Sequence, residues 1–148
     1  MRILPLSTER ISEAAAVVAQ ALYPAGFTEE QRHAAAVALQ RQLAVGYMDT
    51  LLAEADGVFV GFAFVNWGFS IRKGEPFAHI QLLFTLPTHR RMGVGRQLLE
   101  AVKQLALARG ACRVELETDT DNLTARTLYE AVGYEWMRDK EVYMLFFA

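Results

Sequence analysis

FAHIQLLFTLPTHRRMGVGRQLLEAVKQLALAR, residues Phe77–Arg109, decides how this 148-residue chain is read. Ala78, Ile80, Leu82, Phe84 and Leu86 recur with a period of two, the signature of a strand with one buried face. Pro87 ends that pattern. Val94, Leu98, Val102 and Leu105 then recur at helical spacing, with Arg96, Glu100 and Lys103 left to face water. Between strand and helix lies the basic, glycine-bearing segment Arg90-Arg91-Met92-Gly93-Val94-Gly95.

A loop in that position is suited to hold an anion. The first turn of a helix has unpaired N–H groups and the positive end of the helix dipole. Gly93 and Gly95 let the backbone come close to a ligand, and Arg90, Arg91 and Arg96 add charges suited to phosphate oxygens. The segment reads as a diphosphate cradle. It is not a P-loop, because no Lys-Ser/Thr follows the second glycine, and it is not a dinucleotide fingerprint, because Leu98 stands where a third glycine belongs.

The six residues from Arg90 to Gly95 resemble motif A of the GCN5-related N-acetyltransferases, Gln/Arg-x-x-Gly-x-Gly/Ala. A second stretch resembles that family's pattern Asn-x-x-Ala-x-x-x-Tyr-x-x-x-Gly-Phe/Tyr, matched at Asn122, Ala125, Tyr129, Gly133 and Tyr134. Two linked motifs in the expected order, on the expected elements, are a specific signal.

The resemblance implies acetyl-CoA as cosubstrate, no metal, and direct acetyl transfer to a primary amine through a tetrahedral intermediate. It implies that Arg90, Arg91, Met92, Gly93, Val94, Gly95 and Arg96 hold the diphosphate, with Asn122 also at the cofactor. The backbone of Leu83, Phe84 and Thr85 would bond the pantetheine arm like an added strand. Tyr129 matches the family's general acid, against the alternative of a core tyrosine whose hydroxyl merely finds a partner.

The base is open among three choices. Many relatives carry a glutamate on the central strand, but Gln81 stands here and cannot usefully take a proton. Glu117 occupies the place where the ribosomal-protein alanine acetyltransferase subgroup, which this stretch resembles locally, carries its base. His79 is expected to share the strand face of Gln81 and has a suitable intrinsic pKa. Bulk water acting on an already neutral amine is the third choice.

Composition sets the outer bounds. Hydrophobic residues make up 53% and charged residues 22%, which fits one folded domain over residues 1–148 and not a disordered chain. A net charge of −2 argues against nucleic acid as the main partner. The lone cysteine, Cys112, forms no disulfide framework, fits a reducing cytoplasm and reads as a buried thiol. Nothing in the chain reads as a membrane span or a signal peptide. No His/Cys cluster suggests a metal site.

The remaining elements follow from local signals. Arg2–Leu6 reads as a strand and Ile11–Leu22 as a helix stopped by Pro24 and Gly26. Thr28 and Gln31 form a capping box for a helix to Val45, closed by Gly46. Asp56-Gly57 joins two strands as a hairpin. Cys112–Thr118 alternates as a strand, Asn122 caps a helix over Leu123–Val132, and the tail offers strands near Tyr134–Arg138 and Glu141–Phe147. The fold class expected is mixed α/β: a strongly twisted mixed sheet with splayed central parallel strands, flanked by helices.

The aromatics Tyr23, Phe27, Tyr47, Trp67 and Phe69 fall in segments that the resemblance places at an acceptor cleft. Asp119 and Asp121 read as turn and cap residues that could also hold a cationic acceptor. The acceptor expected is a small-molecule or peptide amine, with a homodimer left open. The reading from a different class is a catalytically silent acyl-CoA-binding or interaction module.

Overall fold

The computed structural model describes residues 1–147. The chain resolves into two compact units, Met1–Glu117 and Thr118–Ala148.

The first unit is a five-stranded sheet in the order β1-β2-β3-β4-β5. Its strands are β1 (Arg2–Pro5), β2 (Met48–Ala55), β3 (Val58–Ser70), β4 (Glu75–Thr85) and β5 (Val114–Leu116). Its helices are α1 (Ile11–Leu22), α2 (Glu29–Val45) and α3 (Val94–Ala108). The first four strands pair antiparallel, and β5 returns parallel to β4 after the α3 crossover. The capping box at α2 is present: Thr28 Oγ1 accepts from Gln31 N–H at 3.1 Å and Gln31 Oε1 from Thr28 N–H at 2.9 Å. Gly46 closes α2 at φ 80°, a left-handed conformation that favours glycine.

The apolar stripe of β4 is not one face. Val65 pairs with Ile80 while its neighbour Phe64 pairs with Leu82, so Gln81 is an extra residue that inverts the alternation. Leu82 and Phe84 therefore join the core under α1 and α2, with Phe62, Phe64 and Leu52. Ala78 and Ile80 are buried on the opposite face, with Ala63, Val65 and the α3 residues Val94, Leu98 and Val102. Full burial of a side chain such as Leu98 or Phe62 contributes about 1.5–3 kcal/mol. The period-two pattern identified the strand correctly and its facing only by half.

In the second unit, α4 (Leu123–Ala131) starts at Asn122, whose Oδ1 accepts from Ala125 N–H at 3.2 Å. The two strands expected in the tail do not form among the described residues. Tyr143 to Phe147 are all at least 71% exposed. A strand needs a neighbour for its ladder, and high β-propensity measures fit to a half-buried pleated surface that this segment does not meet. The strand expected over Cys112–Thr118 is regular only at Val114–Leu116, although Cys112 N–H also bonds Pro76 C=O at 2.8 Å.

Among the described residues, no helix is long and apolar enough to cross a membrane.

Candidate active site

The anion loop is built by backbone geometry. After β4, a 3₁₀ turn at Pro87–His89 leads to Arg90 in extended conformation. Arg91 then sits at φ 63° and Gly93 at φ 82°. Gly93 is the N-cap of α3, and no side chain caps that end. The N–H groups of the first α3 turn thus face outward with no side-chain partner, as anion binding requires. A Cβ on Gly93 would meet nothing within 4 Å, so glycine is needed there for its φ and not for room. Arg90 Nε bonds back to the Thr85 carbonyl at 3.3 Å, tying the loop to the end of β4.

One residue of this arrangement was missed in the sequence. Gly61 of β3 lies opposite Thr85, and a Cβ there would stand 2.6 Å from the Phe84 carbonyl oxygen and 3.1 Å from Val94. The missing side chain lets the start of α3 pack tightly over the end of β4. A glycine inside an otherwise apolar strand was the available signal.

Beside the loop, β4 loses its parallel neighbour. The ladder to β5 runs Ala78↔Val114, His79↔Glu115 and Ile80↔Leu116, then ends. Beyond it β4 continues to Thr85 and pairs only with β3, through Ala63↔Leu83, Phe62↔Phe84 and Gly61↔Thr85. Peptide groups of a strand point alternately to its two sides. Those of the Gln81–Thr85 stretch that point away from β3 have no strand to meet among the described residues. The bulge at Gln81 falls where the two strands part.

At the last paired positions, His79 joins two polar partners. Its Nδ1 lies 3.1 Å from Oδ1 of Asn66, and its Nε2 lies 2.7 Å from Oε2 of Glu117. The His79 side chain is 23% exposed and that of Glu117 60% exposed, so the ring is held while the carboxylate reaches solvent. Glu115, the register partner of His79, is bonded instead to Arg113 at 3.0 Å. Two of the three base candidates, His79 and Glu117, are thus one hydrogen-bonded pair. Gln81, the bulge residue, is exposed.

In the second unit, Tyr129 and Tyr134 pack with ring centroids 6.0 Å apart, and Tyr134 N–H bonds Tyr129 C=O at 2.9 Å. Gly133, at φ 98°, makes the turn that brings them together. Burial raises the Tyr129 phenol above its usual value, and burial with the nearby Tyr129 pushes Tyr134 up to about 12. Both hydroxyls therefore carry their protons at neutral pH. Asn122 spends its carbonyl on the α4 cap, and the Asp119 and Asp121 carbonyls accept from Asn122 and Leu123 N–H in the turn before it.

The other aromatics divide. Trp67 donates from Nε1 to Asp49 at 2.7 Å under the Arg109 guanidinium, which binds the same carboxylate at 2.9 Å. That makes it a brace between the sheet and the end of α3. Phe27 packs on the core, while Tyr47 and Phe69 are exposed.

A profile of the Acetyltransferase (GNAT) family matches residues 15–134, which include both motifs. The chain belongs to the GNAT family. Among GNAT relatives, an uncharacterized N-acetyltransferase, YhfO, of Bacillus subtilis is 39% identical over 85 residues, 57% of each chain. The aminoglycoside N(6')-acetyltransferase type 1 of Salmonella typhimurium is 28% identical over 63% of this chain and 66% of its own. The N-alpha-acetyltransferase RimI of Mycobacterium tuberculosis is 32% identical over 66% of this chain and 59% of its own. The chain thus spans between about half and two thirds of these relatives' lengths. The fold matches a Brucella melitensis ribosomal-protein-alanine N-acetyltransferase with a TM-score of 0.80 at 21% identity, covering 99% of this chain and 100% of that one. It also matches AAC(6')-Iy, solved with a bisubstrate CoA analogue, with a TM-score of 0.79 at 22% identity over 97% of both chains.

Proposed function

We propose that this protein is an acetyl-CoA-dependent N-acetyltransferase, its residues 1–148 working as one domain, that acetylates a primary amine by direct transfer through a tetrahedral intermediate. The observation that carries this reading is the adjacency of two features of the first unit. One is the uncapped N-terminus of α3 behind Gly93. The other is the stretch of β4 beyond the last β5 pair at Ile80. The first suits a diphosphate and the second suits the amide-bearing arm of the same molecule, joined by the short loop that Arg90 ties to Thr85.

In this reading the backbone N–H groups from Met92 to Arg96 take the diphosphate oxygens, and Arg90, Arg91 and Arg96 supply charge. Leu83 and Thr85 bond the pantetheine arm through peptide groups on the side of β4 away from β3, whereas the Phe84 carbonyl, expected there too, faces Gly61 of β3. Acetyl-CoA supplies an acyl group on a good leaving thiolate. Glu117 takes the proton that the attacking amine must lose, since an alkyl ammonium of pKa ~10.4 is mostly charged at neutral pH. Tyr129, protonated at neutral pH, gives a proton to the departing thiolate. Asn122 starts the helix that carries Tyr129 and so serves the cofactor side indirectly.

The amine class is supported by the names of the relatives, which include an aminoglycoside N(6')-acetyltransferase and an N-alpha-acetyltransferase. The alternative of a silent acyl-CoA-binding module draws on Gln81, which supplies no base on the central strand. Thiol release from acetyl-CoA, followed across amines, amino acids, peptides and aminoglycosides, tests the two. Release that depends on an amine and yields its acetylated product supports the enzyme. Tight CoA binding without release supports the module.

A further inference from the structure

Glu117 stands near the end of its strand with a side chain 60% exposed, a poor starting point for a base that must meet a substrate in one geometry. The structure gives it a support: Asn66 and His79 line up behind it, with contacts of 3.1 Å and 2.7 Å. Both supports come from the sheet itself, since Asn66 of β3 and His79 of β4 are register partners. The carboxylate that is paired in register with His79, Glu115, is engaged by Arg113 instead. Only one carboxylate receives the ring.

The hydrogen-bond logic holds in either state of the ring. An amide presents its oxygen or, turned over, its NH₂ to the neighbouring nitrogen. With the oxygen toward Nδ1, both ring nitrogens carry protons; with the NH₂ toward Nδ1, the neutral ring carries its proton on Nε2. In each case Nε2–H donates to Oε2 of Glu117. The arrangement with a bare Nε2 facing the carboxylate sets two lone pairs against each other at 2.7 Å and is disfavoured.

We propose that Asn66 and His79 are positioning residues for Glu117, an Asn–His–Glu chain that fixes Oε2 and presents Oε1 to the acceptor amine. This rests on the acetyltransferase reading given above. In the step so arranged, an N–H bond of the ammonium breaks, its electron pair stays on nitrogen, and the proton goes to Oε1. His79 neither gains nor loses a proton. Its donation holds the carboxylate in one rotamer, which an exposed glutamate otherwise exchanges freely.

The test uses kinetics and the ring itself. His79→Leu is expected to lower kcat by about 10–100-fold, the size typical of losing a partner that orients a functional side chain, with KM for acetyl-CoA unchanged. His79→Gln keeps an N–H donor and is expected to restore most of the rate. In a Glu117→Gln background, His79→Leu is expected to cost nothing further, because the two act as one unit. Equal losses in His79→Gln and His79→Leu, with full additivity in the double variant, overturn the proposal and make His79 the base. Nitrogen-15 NMR of the neutral imidazole reads the pairing without turnover: the proton is expected on Nε2, and Glu117→Leu is expected to let the Nδ1–H form grow in. A neutral ring that carries its proton on Nδ1 alone in the unaltered protein, or a tautomer ratio that Glu117→Leu does not move, overturns it as well. Failure of the unaltered protein to transfer acetyl to any amine strikes the acetyltransferase reading instead, while the tautomer still decides the pairing.

Discussion

A Cβ placed on Gly61 would stand 2.6 Å from the carbonyl oxygen of Phe84, so the two strands meet there only because position 61 has no side chain. The contact lies at the end of β4, beside Val94 and Leu98 of α3. Gly61→Ala must push the Phe84 peptide or the start of α3 outward. Overpacking of this kind costs about 1–3 kcal/mol. Thermal denaturation is expected to show a clear fall in Tm, and calorimetry a weaker CoA affinity in the fraction that remains folded. An unchanged affinity would separate the end of β4 from the cofactor site.

The loop glycine acts differently. Gly93 has open space around it but a φ of 82°, which an L-residue adopts at a cost of roughly 1–2 kcal/mol. Gly93→Ala is expected to shift the first turn of α3 and reduce CoA binding while the helix survives, as circular dichroism would show. Gly93→Val should weaken binding further. Arg91→Ala, by contrast, is expected to cost less, with a loss that shrinks as salt is added, because an exposed charge contact is screened. Salt-independent loss at Arg91 would contradict an electrostatic role.

Tyr134 carries a pH dependence whose sign follows from its burial. Its folded value is pushed up to about 12, against ~10 for an unfolded tyrosine. Between those values the unfolded chain releases a proton that the folded chain keeps. Tyr134 therefore reduces stability as pH rises through that window and has no effect below it. Spectrophotometric titration is expected to lose its last-forming tyrosinate in Tyr134→Phe, and urea midpoints of that variant should fall less steeply above pH ~10. Loss of a tyrosinate from the ordinary range of ~10 in that variant, with the last-forming one kept, would place Tyr134 in water.

What the sequence disclosed was local. The Thr28–Gln31 capping box, the Asp56-Gly57 hairpin, the Asn122 cap and the passage from strand through Gly93 into α3 each depend on residues a few positions apart. What it hid depends on pairing across the sheet. The inversion of β4 at Gln81 is a matter of register against Phe64 and Val65, which no period within β4 encodes. Asn66 of β3, His79 of β4 and Glu117 just past β5 lie far apart in the chain, and Asn66 gave no signal of its own. The tail misled for the same reason, since the β-propensity of Val142 to Phe147 says nothing about whether a neighbour is there to pair.

Acetyl transfer in a single turnover, compared between the unaltered protein and Tyr129→Phe at matched CoA occupancy, most directly tests the assignment of this chain as an acetyltransferase. The substitution keeps the ring, so packing and CoA affinity should hardly change. It removes the phenolic proton, which Tyr129 holds at neutral pH. A positioned general acid contributes about 10²–10⁴-fold, and a rate loss of that order is expected where thiolate departure limits the reaction. The loss should ease as pH falls and solvent acid substitutes, as long as the acceptor amine is not silenced by its own protonation. Equal rates in the two proteins would contradict the acid role of Tyr129, and no transfer by either, with CoA firmly bound, would contradict the enzyme.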